Sequence, residues 1–167
     1  SVGMENVTDR TSNPFGMRPG GGPHVPGYGD VNADFHLVGD HPGAHGGVGT
    51  GIPFTGTPAA RRLQEALSRV GLIDETGERP TAANLFCSYR HMTVLEEGRD
   101  PTAEEYGRLE PFFDAELRAI TAHVLLPVGR PASDHVLEQY TGRAPKVDTS
   151  DMASRHGEEV AGSGFLV

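Results

Sequence analysis

The chain has 167 residues, 23 acids against 14 bases, and a single cysteine. That length suits one domain with a sizeable core, while one cysteine excludes an internal disulfide framework or a four-cysteine metal site within the chain. No apolar run approaches the roughly 18 residues needed to cross a bilayer, and the formal charge of −9 repels polyanions on average unless arginines cluster locally or salt is high.

Lys146 is the sole lysine; the other bases are arginine. An acidic, lysine-poor surface fits a halophilic cytoplasm, where the Debye length shrinks to about 3 Å at 1 M salt. No basic segment leads into an apolar stretch, so a signal peptide is not expected. Cys87 reads as a small buried apolar residue. The expectation is a soluble cytoplasmic monomer with no membrane contact and no metal.

Residues 1–32 are rich in Gly, Pro, Asn and Asp and have no helical or strand period, which predicts an irregular arm. Met4 reads as a natural start, with Ser1–Gly3 as a cloning remnant. Regular patterning begins at residue 33 and defines one domain over 33–167. Ala33–Val38 is a short apolar run ending in Gly39, a buried strand. A long Gly/Pro loop, 39–56, leads to Thr57 and Pro58, an N-cap followed by proline at the first helical position. The helix over 57–70 carries the stripe Leu63, Leu67, Val70 and ends at Gly71.

Residues 82–88 form the second strand. After the loop 89–101, Thr102 and Glu105 make a capping box for a helix over 102–121. Its stripe is Tyr106, Leu109, Phe113, Leu117 and Ile120, with a kink expected at Pro111. His123–Val128 is the third strand, 131–140 a helix, and Gly164–Val167 a fourth strand. Strands alternating with helices predict an α/β fold. The expected architecture is three αβα layers around a four-stranded, mostly parallel sheet with right-handed crossovers. Ligands of such sheets bind at the carboxyl ends of the strands. Here the loops leaving those ends begin at Gly39, Tyr89 and Gly129, and the first two are the longest and most polar.

The first loop is Gly39-Asp40-His41-Pro42-Gly43, then a Gly-rich stretch, then Pro53-Phe54-Thr55-Gly56. No Gly-Lys-Ser/Thr follows, and the G-x-G-x-x-G spacing is absent, so neither nucleotide fingerprint applies. Pro42 between His41 and His45 argues against a helical metal pair; a solvated or phosphate-facing role is expected for those histidines.

These motifs resemble the uracil-DNA glycosylase superfamily. Gly39-Asp40-His41-Pro42-Gly43 is similar to its first motif, and Pro53-Phe54-Thr55-Gly56 to the Pro-Phe-Val-Gly of the iron–sulfur branch. Asn84 sits where the family carries an asparagine on the second strand. Arg99-Asp100-Pro101-Thr102 and Val128-Gly129-Arg130 resemble two further motifs. The likeness runs from about residue 33 to 140.

The resemblance implies uracil-containing DNA as partner and hydrolysis of the N-glycosidic bond of a flipped-out uracil. It implies a base pocket made by Gly39, His41, Pro42, Gly43, Phe54 and Asn84. Phe54 would stack on the base. The Asn84 amide would accept from uracil N3–H and donate to O4, and so reject cytosine. Asp40, where the family often has glutamate, would stabilise positive charge on the sugar and orient water. Arg61, Arg62 and Arg90 are candidate phosphate contacts, against the alternative of solvated surface charges.

Two departures accompany the resemblance. The iron–sulfur branch uses four cysteines; here Cys87 matches one position and Leu109 replaces another, so no cluster and no cofactor are expected. The family's last motif, a histidine loop after the fourth strand, has no counterpart before Val167, and His135 and His156 lie too early to replace it. One alternative is therefore a catalytically silent nucleic-acid or base-binding protein of the same fold. Another is an unrelated doubly wound enzyme acting on a phosphorylated small molecule.

Overall fold

The computed structural model describes residues 22–140. In chain order these form β1 (Tyr28–Gly29), β2 (Phe35–Gly39), α1 (Pro42–His45), α2 (Pro58–Arg69), β3 (Leu85–Tyr89), a 3-10 turn at Glu96–Gly98, α3 (Ala103–Ile120), β4 (Val124–Pro127) and α4 (Arg130–Tyr140). The sheet order is β1-β3-β2-β4. β2 pairs in parallel with both β3 and β4, and β1 is antiparallel to β3.

The expected four-stranded, mostly parallel sheet is present, with a different fourth strand. Tyr28–Gly29 falls inside the segment read as an irregular arm, and there the expectation is corrected. A two-residue strand has no period to detect; its pairing with Phe86 and Cys87 makes it a strand. The same segment buries Val25, whose N–H donates to the Met92 carbonyl at 2.7 Å. The strand expected at Gly164–Val167 lies outside the described residues.

Alternation along the strands builds the two interfaces. Phe35, Leu37, Leu85, Cys87 and Tyr89 face one side and pack with Leu63 and Leu67 of α2. Val38 and Leu125 face the other side and pack with Phe113 of α3 and Val136 of α4. Because α2 covers one face and α3 and α4 the other, the loop leaving β2 diverges from those leaving β3 and β4. The carboxyl end of β2 is therefore the switch point, the usual ligand position in such sheets.

The helix starts follow their sequence signals. Thr57 Oγ1 accepts from the Ala60 N–H, and Thr102 and Glu105 form the complete capping box. α3 is continuous across Pro111. Val70, placed on the α2 stripe from the sequence, is exposed, because α2 ends one residue earlier and Val70 is its C-cap. Among the described residues no helix is long and apolar enough to cross a membrane.

A buried polar chain crosses from the sheet to α3. His36 Nε2 lies 2.8 Å from Ser88 Oγ, which donates to Glu116 Oε2 at 2.7 Å. With Ser88 donating to the carboxylate, its oxygen accepts from a protonated His36 Nε2. All three side chains are fully buried, and burial pulls the His36 imidazole down to about 3. Gly27 is required beside this chain, since a β-carbon there would fall on Glu116 Oε2 and the Phe86 ring.

Candidate active site

Asp40 follows the last residue of β2 and is 5% exposed. Its Oδ2 lies 3.4 Å from His45 Nε2, and its Oδ1 has no hydrogen-bond partner among the described residues. The carbonyls of Gly39 and Asp40 accept from the Arg90 and His91 N–H groups, which ties the turn after β2 to the chain leaving β3. Gly129, just past β4, completes the enclosure: a β-carbon there would stand 3.1 Å from Asp40 Oδ2. All three strand ends therefore meet at this carboxylate, including the third, which the sequence placed behind the other two.

An aromatic wall stands beside Asp40. The His45 ring lies 5.5 Å from Phe54 and 6.0 Å from Tyr89, and Phe54 meets Tyr89 edge-on at 5.1 Å. Gly39 makes room for the wall, because a β-carbon there would sit 2.7 Å from Phe54 Cζ. Phe54 adopts a left-handed backbone with φ of 58°. Its N–H donates to the Tyr89 hydroxyl at 2.8 Å, and its carbonyl accepts from Gln64 Nε2 at 2.7 Å. Such strain persists where surrounding bonds over-determine it. Phe54 is only 3% exposed, so its ring backs the site instead of offering an open stacking face.

The first motif otherwise works as scaffold. His41 is buried, caps α1 and places Nε2 2.9 Å from Asp100 Oδ1, which joins it to the Arg99-Asp100-Pro101-Thr102 motif. Pro42 is the buried first residue of α1, a short helix inside the segment read as loop. Gly43 lets that helix touch the 3-10 turn; a β-carbon would be 2.5 Å from the Gly98 carbonyl oxygen.

Asn84 is a correction. It precedes β3, and parallel pairing puts Phe35 opposite Leu85 and Gly39 opposite Tyr89. Asn84 therefore stands at the amino edge, level with Asp34 and six residues short of Asp40, roughly 20 Å along the sheet. Its Oδ1 accepts the Asp34 N–H at 2.7 Å and its φ is 59°, so it shapes the entry to β3. The motif match placed it on the strand, whereas the strand begins one residue later. Tyr89, at the carboxyl end of β3, stands at the site instead. Its hydroxyl accepts from Phe54 N–H and donates to the Gly46 carbonyl at 2.8 Å. Tyr89 is the last apolar residue before the polar second loop, a signal visible in the sequence.

Arg90 is half-buried, with its guanidinium 4.2 Å from the Tyr106 ring centre and Nη1 donating to the Pro131 carbonyl at 3.3 Å. Burial lowers its basicity, and proximity to the Tyr106 hydroxyl and then to the Asp40 carboxylate partly restores it. Burial, then Asp40, pushes the Tyr106 hydroxyl up to about 12. Arg90 and Tyr106 thus sense the Asp40 charge. Arg61 and Arg62 are exposed on α2. Arg61 lines a cleft of about 370 Å³ with Gly56, Thr57, Pro58, Gln64, Gly77 and Glu78.

The residues present do not fit an iron–sulfur cluster, which is held by converging thiolates. Cys87 is in the middle of β3, inside the core, with its thiol pushed up to about 12 by burial. Leu109 is an apolar residue of α3. Among the described residues no three His, Cys, Asp or Glu side chains converge as metal ligands.

Comparison with known proteins agrees with this architecture. The family model described as the uracil DNA glycosylase superfamily matches residues 26–161. A type-5 uracil-DNA glycosylase of Pyrobaculum aerophilum is 32% identical over 147 residues, 86% of this chain and 62% of that protein. One from Thermus thermophilus is 31% identical over 131 residues, 76% of this chain and 58% of that protein. A type-4 uracil-DNA glycosylase of Archaeoglobus fulgidus is 28% identical over 117 residues, 70% of this chain and 54% of that protein. The chain thus spans less than two thirds of the length of each of these relatives. With its match across most of the chain and the expected sheet beneath its motifs, the protein belongs to the uracil-DNA glycosylase superfamily.

Proposed function

We propose that the protein is a DNA glycosylase that hydrolyses the N-glycosidic bond of a uracil flipped out of DNA. The observation that carries this reading is Asp40: a buried carboxylate at the sheet's switch point, with one oxygen against His45 and the other without a partner among the described residues. Cleaving the bond places positive charge on the sugar and negative charge on the departing base. A fixed carboxylate in a site of low dielectric stabilises the sugar cation far more than it would in water, and its second oxygen can orient the attacking water. The charge matters most after bond cleavage has begun, so Asp40 acts on the rate more than on binding.

The base docks at the carboxyl edge beside Asp40, with the packed His45, Phe54 and Tyr89 rings behind it. Arg90 and the exposed Arg61 and Arg62 supply phosphate contacts on a chain whose formal charge is −9. Their locality matters, because phosphate contacts are salt-dependent and the molecule as a whole repels DNA. Base discrimination falls to groups at the carboxyl edge, since Asn84 stands at the other end of β3.

A second reading is a silent base or nucleic-acid binder of the same fold. It is favoured by the placement of Asn84, which leaves the site without that amide. The two are separated by a uracil-release assay on single-stranded and duplex DNA. Release of uracil, and not of cytosine, supports the glycosylase. Binding without release from either form supports the silent binder.

A further inference from the structure

We infer that His45 is a positioning residue for Asp40: its imidazole holds Oδ2 and thereby aims Oδ1 at the reacting sugar and water. This rests on the glycosylase reading. From the sequence, His45 is a solvated or phosphate-facing side chain; the structure gives it a different setting. It ends α1, and its N–H donates to the His41 carbonyl at 3.1 Å. Its ring is wedged between the Phe54 and Tyr89 rings on one side and Asp40 on the other.

Three features converge on this pair. A carboxylate only accepts, so the nitrogen facing Oδ2 at 3.4 Å, Nε2, must carry the proton. Gly39 leaves room for the ring, since a β-carbon there would be 3.0 Å from His45 Cδ2. Gly129 leaves room for Asp40, with its β-carbon position 3.1 Å from Oδ2. Glycines on two strand ends thus clear the space that the pair occupies. The separation is long for a hydrogen bond, as is common before ligand binds, and closure shortens such contacts. With Oδ2 committed, Oδ1 is the oxygen left to face the substrate.

The test separates the imidazole's donor from its packing. His45→Phe keeps a ring against Phe54 and Tyr89 and removes the donor. His45→Gln keeps a terminal N–H donor and removes the ring. Single-turnover uracil release should fall about 10- to 100-fold in His45→Phe, the scale of a small misplacement of a reacting group. Binding of uracil DNA at matched salt should stay within about twofold of the parent. His45→Gln should recover most of the rate. In an Asp40→Asn background, His45→Phe should cost nothing further, because its effect runs through that carboxylate.

An unchanged rate in His45→Phe, a His45→Gln variant no faster than His45→Phe, or full additivity with Asp40→Asn would each overturn the inference. Should His45→Phe fail to fold, His45→Met takes its place with the same outcomes. A parent that releases no uracil overturns the glycosylase reading together with this inference. An active parent indifferent to His45→Phe overturns this inference alone.

Discussion

His36 makes acid stability the sharpest physical test of the fold beneath the site. Its imidazole is fully buried and bonded through Nε2 to Ser88, while Nδ1 has no partner among the described residues. Burial pulls it from the ordinary 6.5 to about 3. In the unfolded chain the same side chain takes up a proton as pH falls through 6.5, while the folded protein cannot until about 3. The stability it contributes is therefore complete above pH 6.5 and is lost progressively as pH falls from 6.5 towards 3. At pH 5 the unfolded state is favoured by about 2 kcal/mol relative to neutral pH, at 1.36 kcal/mol per unit. His36→Gln retains an N–H donor for Ser88 and does not titrate. Denaturant unfolding of parent and variant at pH 7 and pH 5 isolates the term, because the other buried histidines contribute equally to both. The parent should lose about 2 kcal/mol more than the variant across that interval. Equal losses would mean that His36 takes up its proton over the same pH range folded and unfolded, and its burial in the polar chain to Glu116 would have been wrongly described.

Three further outcomes probe the site. Asn84→Ala removes the acceptor for Asp34 N–H and puts alanine at a φ of 59°, so it should cost about 1–2 kcal/mol in unfolding experiments. It should leave the uracil-to-cytosine release ratio unchanged, and a shifted ratio would return Asn84 to the base pocket. Tyr89→Phe strips partners from the Phe54 N–H and the Gly46 carbonyl and should destabilise by about 1–3 kcal/mol, measured by chemical denaturation. Gly39→Ala pushes a methyl to 2.7 Å from Phe54 Cζ and should cost about 1–3 kcal/mol by overpacking, with release lowered even at temperatures where the variant is folded. Gly49→Ala, which meets nothing within 4 Å, is the matched control and should stay within about 0.5 kcal/mol of the parent in the same melts.

The elements that strong local chemistry specifies were legible from residues alone. Thr57-Pro58 and the Thr102–Glu105 box start α2 and α3 where the side-chain hydrogen bonds form. The apolar runs ending at Gly39 and near Tyr89 are the paired central strands, and Asp40 directly follows the first of them. What escaped depended on pairing. β1 is too short to carry a period and exists through its bonds to β3. α1, four residues long, is held by His41, Pro42 and the Gly43–Gly98 contact, which no window average can detect. Asn84 shows how a one-residue difference in strand start changes a conclusion: just outside β3 its amide turns to Asp34, and Tyr89 holds the other end. His45 reads from the sequence as solvated or phosphate-facing because its neighbour Asp40 is reached only when α1 folds back over the end of β2.

Asp40 carries the central claim, and paired measurements on the parent and Asp40→Asn test it most directly. Both proteins are assayed for single-turnover uracil release and for uracil-DNA binding at the same salt. The amide keeps the shape of the carboxylate and removes the charge that the cationic sugar needs. The account predicts a rate about 10²–10³-fold below the parent, with binding changed by less than about threefold. An Asp40→Asn variant as fast as its parent would contradict it, and so would a parent that binds uracil DNA and releases nothing.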